Sequence, residues 1–262
     1  MYAVLCQLDE NQTSDPEILR LLQHTLRLFK RHGAALAEPE QQKLMNLRSE
    51  ISGLELDFQT ALNEDTTEIL LSEHELEGCS EAWLSGLKRA KKEGGDDHGI
   101  LYYRVTMKTP DILNISRNAS LPETRQRVAT TYRQVCTGTN GPILDRLIQL
   151  RHEAATLLGY KSHAAYQLDI NMAKTVETVE SFLDNITTSI SGKLASDKKE
   201  LLAIKKAEYE RRGWSQKYDG KLNAWDVKYY QEILLSEKYA VDNTLLTQYF
   251  ELNNVRDQIM GV

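Results

Sequence analysis

The sequence predicts a mainly α protein, an elongated multi-helix assembly with one short β element near residues 100–107. Three observations carry this. Glycine (14) and proline (5) are scarce in 262 residues, so little is available to break helices. Most of the prolines stand where a helix can begin, the place where a missing N–H costs nothing. Apolar residues recur at spacings of three and four over long windows, the period of a helix with one buried face.

Each element has a local signature. "SDPEILRLLQHTLRLFKRHG" (14–33) reads as a helix with Ser14 or Asp15 as N-cap, Pro16 in the first turn and Gly33 as the stop. The next helix begins at Pro39 and carries Leu44, Leu47, Ile51, Leu54, Phe58 and Ala61, a seam of alternating threes and fours. The first two helices are therefore expected to pair antiparallel. A short helical stretch, "EAWLSGLKRAKK" and the polar loop "EGGDDHG" follow. "ILYYRVTM" (100–107) is the one convincing strand, and residues 68–71 are its candidate partner, because a lone strand is not stable.

In the second half, "SLPETRQRVATTYRQV" begins with a capping box, Ser120 with Glu123. "GTNG" (138–141) reads as a loop, and "GPILDRLIQLRHEAATLLG" as a helix from Pro142 to Gly159. From Thr175 to about Arg212 one very long helix is expected, about 55 Å at 1.5 Å per residue, which suggests a rib within something larger. Its second half is dense in charges of both signs and reads as a solvated face with i,i+4 pairs. Two more helices follow, "AWDVKYYQEILLSEKY" and "NTLLTQYF", in the first of which Trp225, Tyr229 and Tyr230 are expected in the core. The closing "NNVRDQIMGV" shows no cap or stop signal. The domain division expected from this pass is 1–136, a helical region with the short β element, and 137–262, the long-helix region.

Composition excludes some classes. Net charge −6 argues against a general nucleic-acid binder, which needs a basic face. No apolar run approaches membrane-helix length, and "MYAVLCQLDE" lacks the basic start of a signal peptide. No membrane or nucleic-acid partner is therefore expected. Cys6, Cys79 and Cys136 are odd in number and widely spaced, so reduced thiols are expected. The sequons at Asn11, Asn114, Asn118 and Asn185 are expected to stay unmodified in a cytoplasmic or mitochondrial protein.

Candidate chemistry is sparse. "RHEAATLLGYKSH" (151–163) resembles the zinc signature H-E-x-x-H-x-x-G-x-x-H, with His152, Glu153, Gly159 and His163. Thr156, however, stands where the second imidazole belongs, and a neutral hydroxyl is a poor zinc ligand. His152 falls just outside the apolar face of its helix and Glu153 nearly opposite it, so both read as structural. Arg151 points into the apolar arc and should be paired with a carboxylate. His74-Glu75 repeats the pair, with Gly78 in the ligand position, and "DDHG" (96–99) reads as a flexible turn. No nucleophile elbow, Walker loop or dinucleotide fingerprint occurs. No catalytic, cofactor-binding or metal-binding residue is assigned.

Longer stretches carry a resemblance. "LNEDTT" (62–67), "LPETRQRV" (121–128), "LLGYKSHAAYQLDINMAKTVETVESFLD" (157–184), "IKKAEYERRG" (204–213), "NAWDVKYY" (223–230) and "YAVDNTLLTQYFEL" (239–252) are similar, in order, to the thimet oligopeptidase and neurolysin (saccharolysin-like) zinc metalloendopeptidases. The resemblance implies a channel-forming helical peptidase fold for short peptide substrates, of which this sequence matches the N-terminal and central portion only. It implies a monomeric enzyme whose zinc is held by H-E-x-x-H plus a downstream glutamate, the motif's glutamate being the general base. In that family the zinc motif lies beyond the point matching Val262, and no residue here matches a zinc ligand. Two expectations follow. One is a fragment of a zinc oligopeptidase, inactive alone and leading into an absent catalytic domain. The other is a non-catalytic helical module that binds peptides or proteins.

Overall fold

The computed structural model describes residues 2–7, 15–91, 101–239 and 249–261, and among these it is mainly helical with a small sheet. Two compact units emerge, both discontinuous in sequence. One comprises Met1–Asp65 with Cys136–Thr188, the other Thr66–Val135 with Ser189–Val262.

The first unit contains α1 (Tyr2–Leu5), α2 (Pro16–Arg31), α3 (Glu38–Glu64), α7 (Thr137–Leu157), α8 (His163–Leu168) and the start of α9 (Val176–Arg211). Asp15 caps α2 by accepting from the Glu17 N–H at 2.8 Å. Gly33 ends it at φ 91°, where a Cβ would stand 2.5 Å from Leu44 Cδ2, so only glycine allows the chain to turn this tightly.

The apolar seam of α3 is real, but its partner is α7 rather than α2, which corrects the expected pairing of the first two helices. Leu44 and Leu47 are buried from one side, Leu147, Leu150 and Ala155 from the other. The helices run antiparallel. Asn140 donates to Phe58 O at 3.2 Å and Cys136 Sγ to Ala61 O at 3.3 Å near the end of α3, whereas Leu158 reaches the corner at Gly33 near its start. These anchors also explain the second correction. "GTNG" is no loop: α7 begins at Thr137 and runs through Pro142, because buried Asn140 is tied to α3 and draws the first turn into the helix. What α2 contributes is its C-terminus, whose Arg31 and His32 carbonyls accept from the Arg48 guanidinium at 2.9 and 3.3 Å.

The second unit is built on a three-stranded antiparallel sheet in the order β1 (Glu68–Ser72), β3 (Tyr102–Thr106), β2 (Lys88–Ala90). The strand expected at 100–107 thus finds its partner at residues 68–72, with Leu71 opposite Tyr103. Its alternation is that of a half-covered strand: Tyr103 and Val105 are buried and Arg104 is outward, paired with Glu68. β2, "KRA", carries no apolar signal and pairs antiparallel with β3, Ala90 opposite Tyr102.

Around the sheet lie α4 (Glu81–Gly86), α5 (Thr109–Asn118) and α6 (Pro122–Gln134). With the strands, α5 and α6 close a core of Leu71, Leu76, Val105, Ile115, Ala119 and Val128. At about 1.5–3 kcal/mol for each fully buried large apolar side chain, this core is the main stabiliser of the unit. The expected capping box is displaced. Leu121 is the N-cap of α6 and no side chain caps it; buried Ser120 instead donates its N–H to Glu77 O at 2.8 Å. Tertiary pairing wins over the local cap.

The unit is completed by the rest of α9, a 3₁₀ turn at Ser215–Lys217, α10 (Val227–Tyr239) and α11 (Leu252–Met260). The long helix expected at 175–212 is present as the 36 residues of α9. α10 packs on α5. The closing helix does have caps, against expectation: Glu251 accepts from the Asn254 N–H at 2.8 Å, and Gly261 ends it at φ 68°. Most of "NTLLTQYF" lies outside the described residues. No helix among the described residues is long and apolar enough to cross a membrane.

Candidate functional site

The zinc-like stretch does not assemble a donor set. On α7, His152, Glu153 and Thr156 are all exposed. Gly159 sits past the helix end at φ 87°, with its N–H on Thr156 O and the Tyr160 N–H on Ala155 O, a helix-closing arrangement that needs glycine and no metal. The second pair separates as well. His74 is exposed, while Glu75 accepts from Ser72 N and Oγ and from Arg127. Gly78 is fixed by backbone crowding, since a Cβ there would lie 2.3 Å from Asn118 O. Among the described residues no group of three or more His, Cys, Asp or Glu side chains could hold a metal ion. "DDHG" lies outside the described residues.

Two residues of the opening stretch do meet. Reversal of the chain at Gly159 brings His163, at the start of α8, back beside Arg151, and both line a cavity of about 320 Å³ in the first unit. Its floor is apolar, formed by Ile51 of α3 and by Ala154, Ala155 and Leu158. Its polar lining is Arg48, Glu55, Arg151, His163, Tyr166 and Gln167. Arg151 was expected to be paired, and it donates to Glu55 Oε1 at 2.6 Å. The pair is half-exposed rather than buried, with side-chain exposures of 36% and 47%, because the long side chain leaves the apolar arc for the rim. Burial, and next the Arg151 charge, hold the His163 imidazole below its ordinary range.

Behind the wall, Arg31 is the buried brace that sequence reasoning passed over. Its guanidinium lies 4.0 Å from the Tyr166 ring centroid and donates to Tyr166 O at 2.7 Å and to Asp169 Oδ2 at 3.0 Å. Tyr160 donates to the same Asp169 oxygen at 3.0 Å. The turn carrying α8 is thereby fastened to the end of α2.

The second unit holds a polar network that the sequence did not announce. Arg125 and Asp226 are paired at 2.9 Å with side-chain exposures of 0% and 1%. Lys205 joins them, donating to Asp226 Oδ2 at 3.0 Å, Asp219 Oδ1 at 2.9 Å and Lys221 O at 2.7 Å. Tyr229 donates to Glu208 at 2.8 Å, Arg212 pairs with the same oxygen at 3.1 Å, and Arg125 stacks on the Tyr229 ring at 4.0 Å. Burial opposes ionisation of both Lys205 and Asp219. Their mutual hydrogen bond, with Asp226 on the lysine and Asn223 on the aspartate, outweighs it, raising Lys205 and lowering Asp219.

The charged half of α9 is therefore not a solvated face throughout. Leu201, Lys205, Glu208 and Tyr209 are buried at spacings of four, three and one, a helical stripe hidden in the sequence because half of it is ionic. Tyr229 and Tyr230 are buried as expected, and Trp225 is half-buried. Every ionised group of the network has an ionic partner within it, which reads as architecture.

A sequence profile of peptidase family M3 matches residues 116–262, more than half of the chain. Oligopeptidase PhomG of Diaporthe leptostromiformis is 30% identical over 249 residues, 95% of this chain and 34% of that protein. The thimet-like oligopeptidase of Dictyostelium discoideum is 28% identical over 89% of this chain and 34% of its own length. Saccharolysin of Saccharomyces cerevisiae is 28% identical over 90% and 32%. The chain spans about a third of the length of the curated relatives it matches. The profile match covers α6 through α11, the region that contains the long helix and the ionic network, and it agrees with the motifs that carry the resemblance: the chain belongs to peptidase family M3.

Proposed function

We propose that this chain is part of a zinc-dependent oligopeptidase that cleaves short peptides. In this reading it supplies helical framework: 1–136 as the N-terminal region with its β element, and 137–262 as the region leading into the zinc domain. The observation that supports the reading is the family match together with identity of about 30% along nearly the whole chain.

The residues present do not fit a catalytic zinc. H-E-x-x-H does not occur in residues 1–262, and the nearest approach, at His152, has a threonine in the ligand position and an exposed glutamate. No hydrolytic step is therefore assigned to any residue of this chain. We infer that it is inactive alone, cytoplasmic or mitochondrial, and monomeric, and that it acts with neither membrane nor nucleic acid.

The test is a quenched-fluorescence assay of residues 1–262 with a short peptide, with and without added zinc. No turnover is expected, and turnover abolished by a chelator overturns the assignment. Sequencing the transcript past Val262 tests the parent enzyme, and an in-frame H-E-x-x-H is the expected finding. A stop codon directly after Val262 would favour the second reading, a non-catalytic peptide- or protein-binding module, for which the cavity beside Arg151 is the supporting feature.

A further inference from the structure

The cavity between α3, α7 and α8 has a chemistry of its own, and it does not rest on the peptidase reading. Its lining combines apolar and cationic side chains. Ile51, Ala154, Ala155 and Leu158 supply the apolar part. Among its lining side chains, Arg48 and Arg151 contribute two positive charges against one negative charge from Glu55, and burial, with the Arg151 charge, shifts His163 toward its neutral form. Arg31 does not alter the balance, because Asp169 neutralises it behind Tyr166.

The two arginines are engaged differently. Arg48 is spent on the carbonyls of Arg31 and His32 and forms no ion pair among the described residues. Arg151 already displays the chemistry it favours, holding the Glu55 carboxylate at 2.6 Å. This balance opposes a metal cation, and a phosphate would have to press its oxygens against alkyl groups.

We propose that this cavity binds a small amphipathic carboxylate, its apolar group on the Ile51–Leu158 floor and its carboxylate at the Arg48–Arg151 rim. About 320 Å³ lies at the small end of ligand sites, enough for one apolar residue with a free C-terminus or for a medium-length alkyl acid. Glu55 acts as the internal competitor, because it holds the arginine that the incoming carboxylate needs.

This competition yields a test that a purely structural ion pair fails. Titrate the full chain with N-acetyl-leucine, with N-acetyl-leucinamide and with octanoate, following amide chemical shifts of α7 and α8. At least one of the two acids is expected to bind saturably, and the amide roughly tenfold more weakly, the equivalent of one lost charged contact. N-acetyl-leucine binding more tightly identifies a peptide-like C-terminus as the source, and octanoate binding more tightly identifies an alkyl acid.

Glu55→Gln is expected to tighten binding several-fold by freeing Arg151, and Arg151→Gln to weaken it by about tenfold. Both change only a rim pair, so folding is retained. Equal affinity for acid and amide, weaker binding by Glu55→Gln, or no saturable shift with either acid overturns the proposal. None of these outcomes bears on whether the parent protein is a zinc peptidase.

Discussion

Arg125 Nη2 donates to Asp226 Oδ1 at 2.9 Å across 101 positions of sequence, and neither side chain reaches solvent. A buried pair of this kind is costly to build and more costly to break, because removing one partner strands the other charge. Asp226 carries two such partners, Arg125 and Lys205. Asp226→Ala is therefore expected to destabilise the chain by about 3–5 kcal/mol in urea unfolding. The half-exposed Arg151–Glu55 pair should contribute only about 0.2–1 kcal/mol in a double-mutant cycle. A loss at Asp226 no larger than that of the rim pair would mean that the network is solvated.

Glycines separate by what surrounds them. At Gly78 an added Cβ would meet Asn118 O at 2.3 Å, with φ at 93°. Gly78→Ala should cost more than about 2 kcal/mol, since both strain and backbone collision oppose it. Gly192 lies inside α9 with nothing within 4 Å of its virtual Cβ. Gly192→Ala should stabilise by about 0.5–1 kcal/mol through helix propensity. Thermal melts of the two variants are expected to move in opposite directions, and a common direction would refute the assignment.

Acid should act through Asp219. Its folded-state carboxyl is held below the ordinary 3.8, the hydrogen bonds from Asn223 and Lys205 outweighing burial. With the folded value below the unfolded one, its stabilisation is complete above the unfolded value and is lost as pH falls through the folded one. Wild type should lose stability steadily below about pH 4, and Asp219→Asn should show a shallower loss in that window. Parallel pH curves for the two proteins would remove Asp219 as the cause.

The reading of this chain as part of a larger enzyme also has a surface consequence. Phe182, Leu183, Ile186, Ile190 and Leu194 are all exposed along α9 at spacings of one, three, four and four. A hydrophobic dye is expected to bind residues 1–262, and Ile186→Glu with Ile190→Glu to reduce its fluorescence without lowering the melting temperature. A chain that ignores the dye and unfolds cooperatively as a monomer would favour the self-sufficient module instead.

How far the sequence could be read depended on what held each element in place. α9, α2 and the strand pair at 68–72 and 102–106 were legible because periodicity and caps act locally. The partner of α3 was not, because a seam records that a helix is covered but not by which neighbour. The turn that opens α7 was hidden by glycine and proline, and it forms only once Asn140 reaches Phe58. At the candidate site, Thr156 in the ligand position and the places of His152 and Glu153 on the helix already told against a zinc site. The cavity could not be foreseen, because its walls come from α3, α7 and α8, residues about a hundred positions apart. Buried Lys205 and Glu208 were masked by their charge, although their spacing with Leu201 and Tyr209 was visible throughout.

Residues 181–196 of α9 run sixteen positions without one buried or half-buried side chain. A helix of about that length is marginal in water by itself, so its order is lent by the ends to which it is attached. That segment should open long before the sheet or the ionic network does, exchanging its amide protons first and offering proteases their earliest cut. The longest regular element of the chain is thus its kinetic weak point.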